Sequence, residues 1–177
     1  MTDTAPLDAI RKALAAVEDP EIPISLQDLG VLRESSIQGS RLRVVLVPTR
    51  LGCPAKGEME RRVRAAVRGV APSLTVEVIW RGDRWTQDDI SEHGREMLRS
   101  HGYDAGVEAQ RRCPYCAGSD VKQHGSFGGS ICKVPFSCRA CGSTFEMLKS
   151  SVMSDLPATA GGPKPPHAEG RPLLRIV

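Results

Sequence analysis

Aromatic side chains are scarce in this sequence of 177 residues, with three Phe, two Tyr and two Trp making up 4% of it. Its hydrophobic content of 40% is therefore mostly aliphatic, and any core must be built from Leu, Ile, Val and Ala. No window approaches the ~20 consecutive apolar residues of a membrane helix. The opening stretch MTDTAPLDAIRKALAAVEDP has acidic residues early and no apolar run leading to a small-residue cleavage site, so a secretory signal is not expected. Charge is balanced too: 24 basic against 21 acidic residues leave a formal +3. Phosphate binding needs clustered positive charge, and the arginines here mix with glutamates, so nucleic acid is not an expected partner. There is no internal repeat, Walker loop, GxGxxG, HExxH or Ser/His/Asp order. His93 and His101 stand about 12 Å apart along a helix axis, too far to share a site easily. The expectation is a soluble, cytoplasmic protein without independent enzymatic activity.

What the sequence does have is six cysteines. In a reducing compartment they are poor candidates for structural disulfides, which leaves metal or redox chemistry. Cys113-Pro114-Tyr115-Cys116 and Cys138-Arg139-Ala140-Cys141 are two CxxC pairs separated by 21 residues. Each CxxC turn brings two thiolates to one side of a tight knuckle, where backbone N–H groups can donate to sulfur. Two knuckles complete a tetrahedron around one ion. Two redox-active CxxC motifs are the alternative, but neither lies in a thioredoxin-like βαβ pattern. A closed set of four thiolates favours zinc, while rubredoxin-type iron and iron–sulfur clusters use the same ligands. A module of about 40 residues cannot bury enough surface to fold unaided, so the metal also supplies its staple. Cys132, six residues before Cys138, is either a small buried residue or an additional ligand or transfer thiol. His124, next to a run of glycines and serines, reads as surface.

Along the chain, Leu7, Ile10, Leu14 and Val17 form one stripe of an amphipathic helix. Asp19-Pro20-Glu21-Ile22-Pro23 ends it in a stiff loop. Leu29 to Ile37 and Leu42 to Val47 read as a hairpin around Gln38-Gly39-Ser40, the second strand apolar enough to be central. Ala55, Met59, Val63, Ala66 and Val67 mark a second helix, with Pro54 at its start and Gly69 at its stop. Leu74 to Trp80 reads as a third strand, Thr86 with Asp89 as a capping box, and a last helix ends near Ser100. The order α-β-β-α-β-α predicts an α+β domain, a small three-stranded sheet packed with helices over residues 5–103. A four-cysteine zinc-ribbon-like module follows over 108–150. Residues 151–177, rich in Pro and Gly, are expected to be a disordered tail.

The remaining cysteine, Cys53, sits at a strand-to-helix junction in Pro48-Thr49-Arg50-Leu51-Gly52-Cys53-Pro54. Helix N–H groups are unsatisfied there and the dipole favours negative charge, so the thiol is expected to ionise more readily than a free cysteine. Gly52 would give close access. The alternative is a buried structural cysteine.

Val17-Glu18-Asp19-Pro20-Glu21-Ile22-Pro23, Asp28-Leu29-Gly30-Val31 and Pro48-Thr49…Gly52-Cys53-Pro54 together resemble the MIP18-like (iron–sulfur cluster assembly domain) family. With Phe127-Gly128…Cys132-Lys133 and the CxxC pairs added, the chain over about 5–150 resembles the PaaD family of the phenylacetyl-CoA epoxidase system of aerobic phenylacetate breakdown. Where that pattern often carries a further cysteine, this chain has Ser150 and Ser151. The resemblance implies an accessory component of a multicomponent monooxygenase, assisting maturation of its iron–sulfur or di-iron centre through contact with the oxygenase or reductase subunits. It implies that Cys53 holds or passes iron or a cluster transiently, with Asp19, Glu21, Asp28, Thr49 and Gly52 flanking it. A non-catalytic structural component and an iron-binding electron carrier are the alternatives.

Overall fold

A computed structural model describes residues 4–104, 111–149 and 174–176. The expected order is present as α1 (Thr4–Ala15), β1 (Leu32–Gln38), β2 (Arg41–Leu46), α2 (Lys56–Val70), β3 (Thr75–Trp80) and α3 (Glu92–Ser100). The hairpin turns at Gly39, whose φ of 57° suits glycine, and pairs β1 with β2 antiparallel from Gln38↔Arg41 to Leu32↔Leu46. The α2 crossover then lays β3 parallel to β2. β2 is thus central, as its composition predicts. Leu42, Val44 and Leu46 are fully buried on the core side, while Arg41 and Arg43 face away.

Helices α1 and α2 supply Ile10 and Leu14, and Met59, Val63 and Val67, to this core. These positions are one face of each helix at 3.6-residue spacing. The stretch before β1 is not strand. Residues 17–31 fold into a tight loop closed by Leu26 N–H on the Val17 carbonyl (2.7 Å) and Asp19 N–H on the Ile24 carbonyl (3.0 Å). Ile22, Ile24, Leu26, Leu29 and Val31 all point inward from it. Two prolines and an aspartate hold the loop open against helix or ladder, so apolar spacing alone extends the strand too early.

The Thr86–Asp89 capping box is present, but it starts a 3₁₀ turn. The cap of α3 is Ser91, whose Oγ accepts from Gly94 N–H at 2.9 Å. Gly94 lets α3 approach the loop: a Cβ there would lie 2.8 Å from the Asp28 carbonyl oxygen.

A second sheet contains β4 (Tyr103–Asp104), β5 (Val121–Gln123), β6 (Lys133–Cys138) and β7 (Thr144–Leu148), in the order β4-β7-β6-β5. Tyr103, the last residue of the expected first domain, and the next residue Asp104 therefore pair into the second sheet, parallel to β7. Phe136 and Phe145 stack at 5.6 Å in its small core with Val134 and Met147.

β8 (Leu174–Ile176) pairs parallel with β1 and adds a fourth strand to the first sheet. The disorder expected of 151–177 does not hold for these three residues. Positions 150–173, with Ser150 and Ser151, lie outside the described residues. Among the described residues, no helix is long and apolar enough to cross a membrane.

Candidate functional site

The two knuckles bring Cys113, Cys116, Cys138 and Cys141 together, with all four sulfurs within 4.8 Å of one another. Each knuckle is closed by the same backbone pattern. Ala117 N–H donates to the Cys113 carbonyl and Gly142 N–H to the Cys138 carbonyl, both at 2.9 Å. Ala117 (φ 57°) and Gly142 (φ 77°) adopt the left-handed conformation that turns the chain back. The Cys113–Cys141 and Cys116–Cys138 sulfur separations are 3.7 and 3.6 Å. An ideal tetrahedron with metal–sulfur bonds of about 2.3 Å has edges of about 3.8 Å, so this donor set fits a single ion as it stands.

Cys113 and Cys138 are buried, while Cys116 and Cys141 face solvent. Crowding four thiols separates their acidities. Hydrogen bonding from the Ser143 side chain and backbone lowers Cys141 to about 6. At Cys116 the Gly118 N–H favours the thiolate, but the neighbouring Cys141 and Cys138 sulfurs outweigh it and push the thiol up to about 12. A cation that replaces the shared protons removes this conflict. The four cysteines are placed so that together they could hold one metal ion.

Cys132 lies elsewhere. It precedes β6, and Cys138 ends it, so the two stand about 20 Å apart along the strand at ~3.3 Å per residue. Its side chain is 5% exposed and belongs to the core of the first sheet, not to the ribbon's own core. A fifth-ligand role at the four-cysteine site is thus excluded by β6 itself.

Cys53 packs half-buried against the same core as Cys132. The turn is closed by Cys53 N–H on the Arg50 carbonyl (3.0 Å), and the Ala55 N–H donates to the sulfur. That donation favours the thiolate, as the junction predicts. Burial outweighs it, however, and Asp19, Cys132 and Glu21 add repulsion, so the thiol lies above its ordinary range. The expectation of ready ionisation is therefore corrected. The helix begins later than expected, at Lys56 with Ala55 as its cap, so only the Ala55 N–H reaches the sulfur, and partial burial and nearby acidic groups decide the sign.

Of the flanking residues, Asp19 and Glu21 are close enough to act on both thiols. Asp19 is 7% exposed, and its Oδ1 accepts from Glu21 N–H (2.8 Å) and Ile22 N–H (3.0 Å). Burial raises its pKa against those two hydrogen bonds. Asp28 is engaged elsewhere: Oδ2 accepts from Ser25 Oγ (2.8 Å) and Oδ1 from Ser91 Oγ (2.5 Å), which ties the loop to α3. Thr49 is buried. Gly52 is exposed, and a Cβ there would meet open space, so no contact within the chain requires glycine. His124 is exposed and bonds Ser137 Oγ, away from the four sulfurs.

Lys133 carries no weight in the sequence reading, yet it joins the two modules. Only 7% exposed, it donates to the Glu21 carbonyl (2.8 Å) and Tyr103 Oη (3.3 Å) and pairs with Glu146 at 3.6 Å. A lysine alternating with core residues at the start of a strand was the available signal.

Residues 7–78 match the family described as iron–sulfur cluster assembly protein, and residues 99–149 match the PaaD zinc beta ribbon domain. Over 148 residues the chain is 31% identical to the Escherichia coli (strain K12) protein assigned as the D component of 1,2-phenylacetyl-CoA epoxidase, covering 77% of this chain and 88% of that protein. The chain belongs to this PaaD family.

The first module is also similar to larger proteins. It is 33% identical over 92 residues to the iron–sulfur cluster carrier protein of Mycobacterium leprae (strain TN), and 34% identical over 71 residues to that of Deinococcus radiodurans. The chain spans only 22% and 20% of their lengths. A crystal structure of a DUF59 domain from Bacillus anthracis aligns with 53% of this chain and 92% of that one, at a TM-score of 0.48 and 22% identity. Placing Tyr103 and Asp104 in the ribbon sheet agrees with a PaaD ribbon that begins at residue 99.

Proposed function

We propose that this chain is an accessory component of a phenylacetyl-CoA epoxidase system and assists maturation of that system's iron–sulfur or di-iron centre. The observation that carries the reading is Cys53. It is a free thiol at the start of α2, half-buried beside an acidic loop, in a module that matches the iron–sulfur cluster assembly family. Cys53 holds iron or a cluster as cargo and passes it to the oxygenase or reductase of the system. Cys113, Cys116, Cys138 and Cys141 hold zinc, which supplies the ribbon with folding energy rather than chemistry. The chain works in the cytoplasm beside those partners.

The deciding experiment compares oxygenase and reductase purified from strains carrying wild type, no copy, or Cys53→Ser of this chain. Iron-poor, weakly active partners in both altered strains are expected. Fully metallated, active partners in the strain without it would end the reading.

A second reading, a non-catalytic structural component, draws on one observation: burial holds the Cys53 thiol protonated at neutral pH, as suits a packing residue. Copurification at fixed stoichiometry with a fully functional Cys53→Ser chain would favour it.

A further inference from the structure

Three groups from three parts of the sequence converge where the modules meet. Cys53 comes from the turn before α2 and Cys132 from the residue before β6, both packed on one core, and Asp19, from the loop after α1, lies near enough to act on both thiols. The meeting is fixed by Lys133, whose ammonium holds the Glu21 carbonyl at 2.8 Å, and by Gln87, whose Nε2 donates to the Leu148 carbonyl at 2.7 Å. Cys132 is additionally pinned by Lys149 N–H on its carbonyl (2.8 Å), with Ser130 Oγ 3.0 Å from its sulfur.

We propose that Cys132 and Cys53 together form an open two-thiolate site at this seam, with Asp19 as its carboxylate, which takes ferrous iron or an iron–sulfur cluster as cargo. The inference rests on the reading of Cys53 as the cargo thiol and adds the ribbon as its second half.

Four observations carry it. First, a cysteine used only as apolar filling has no reason to sit beside a carboxylate, because burying a charge near it is costly. Cys132 nevertheless lies where Asp19 and Glu21 act on it. Second, Asp19 is more than nine-tenths buried, and its Oδ2 takes no hydrogen bond from any described residue, whereas Oδ1 takes two. That second oxygen is not among the fully enclosed atoms, so it is open to a positive partner, and a cation supplies one. Third, the donor set of two thiolates and a carboxylate suits iron. Fourth, the turn carrying Cys53 also carries Arg50, whose Nη1 is enclosed without a hydrogen-bond partner among the described residues, a positive charge for an anionic cluster.

The site is open. Among the described residues, only the four ribbon cysteines bring three or more such ligand atoms within 4.8 Å of one another. The seam groups therefore do not close a cage, and the cargo keeps positions for its own sulfide or for a partner's ligands. That separates a holding site from a structural one. On loading, each thiol gives its proton to water as its sulfur bonds iron; no electron changes hands. Closing the ribbon at the far end of β6 fixes where Cys132 emerges, so the structural metal acts as a positioning device for the cargo site.

The test uses the full zinc-loaded chain, given a preformed iron–sulfur cluster anaerobically by exchange from a thiol-ligated donor complex, comparing wild type with Cys53→Ser, Cys132→Ser and Cys132→Ala. Zinc content and far-UV circular dichroism serve as fold controls. The expected result is iron and sulfide bound by wild type and lost from all three variants with zinc retained. If Cys53→Ser loses them while either Cys132 variant keeps the wild-type load, the shared site is wrong and the Cys53 reading stands. If wild type binds neither, both fail. Iron K-edge absorption of wild type loaded with ferrous iron alone gives a check that needs no variant: two protein sulfurs per iron support the seam site, and one overturns it.

Discussion

The ammonium of Lys133 donates to the backbone carbonyl of Glu21 at 2.8 Å, joining residues 112 positions apart. The same ammonium meets the Tyr103 hydroxyl and the Glu146 carboxylate and lies 5.0 Å from the Tyr103 ring centroid. Burial works against its charge. The Tyr103 and Glu146 interactions prevail and hold its pKa above the ordinary lysine value. Lys133→Met, which keeps the volume and removes the charge, leaves the Glu21 carbonyl without this donor and is expected to destabilise by about 1–3 kcal/mol. A raised lysine pKa contributes stability that is fully present below the unfolded value, about 10.4, and lost as pH rises through the folded value. Urea midpoints of wild type and variant should therefore differ throughout pH 7–9 and converge only in stronger alkali. Equal midpoints at pH 7 would show that the contact contributes nothing.

At Asp19 it is the charge itself that costs stability. Its folded pKa is raised, so between the unfolded value of about 3.9 and the folded one the native state binds more protons and stability falls as pH rises. Above both values the ionised carboxylate is a standing cost. Asp19→Asn keeps an oxygen for the Glu21 and Ile22 N–H groups and removes that cost. It should be at least as stable as wild type at pH 7, while retaining less iron after anaerobic loading. Asp19→Ala loses both hydrogen bonds and should be destabilised by about 1–3 kcal/mol. An Asn variant both less stable and fully able to load would show that the carboxylate serves the loop alone.

These two residues mark the limit of what sequence patterning reaches. The helices, the central β2 and the α-β-β-α-β-α order are legible because each buries one face, and burial imposes a period of 3.6 or 2 on the sequence. The four-cysteine site is legible because a CxxC turn is local. The seam is not. Nothing in Asp19-Pro20-Glu21 or in Cys132-Lys133 announces that they meet, because the contact depends on how two modules dock. Cys53 shows the same limit. Its place in the turn before α2 reads correctly from Gly52-Cys53-Pro54, but the helix itself begins at Lys56, two residues later than Pro54 suggests, and the sign of the thiol's pKa shift depends on burial and on groups from other segments.

Removing the metal should separate the modules' stabilities. Four of the six thiols are held at the knuckles, so in the zinc-loaded protein only Cys53 and Cys132 remain for reagent. Denaturant-free thiol titration should rise from at most two reactive groups to six on adding a strong chelator. The ribbon sheet should melt, since structural zinc supplies about 10–16 kcal/mol of apparent binding energy in small modules. Cys138→Ser should reproduce the effect without chelator. A ribbon that keeps its circular dichroism without metal would refute the staple.

Glycine positions offer a clean steric test. Gly30 has φ +72°, and a Cβ there would lie 2.3 Å from the Asp89 carbonyl oxygen. Gly30→Ala combines left-handed strain of about 1–2 kcal/mol with that clash and should cost more than either alone. Gly52→Ala meets open space and should leave the urea midpoint nearly unchanged. A similar loss from both would mean that the Asp89 approach is not what demands glycine at position 30.

Cys53 should betray its surroundings in its reactivity. The nucleophile is the thiolate, and burial, aided by repulsion from Asp19, Cys132 and Glu21, outweighs the favourable Ala55 N–H. Iodoacetamide should therefore modify Cys53 of the zinc-loaded chain more slowly at pH 7.5 than it modifies an unstructured cysteine peptide. The rate should keep climbing with pH beyond about 8.5, where the peptide levels off. Asp19→Asn removes one source of repulsion, so it should shift the Cys53 profile to lower pH, whereas Asp28→Asn should not, because the Asp28 carboxylate is spent on Ser25 and Ser91. A Cys53 profile below that of the peptide would restore the helix-start argument and show that burial does not govern this thiol.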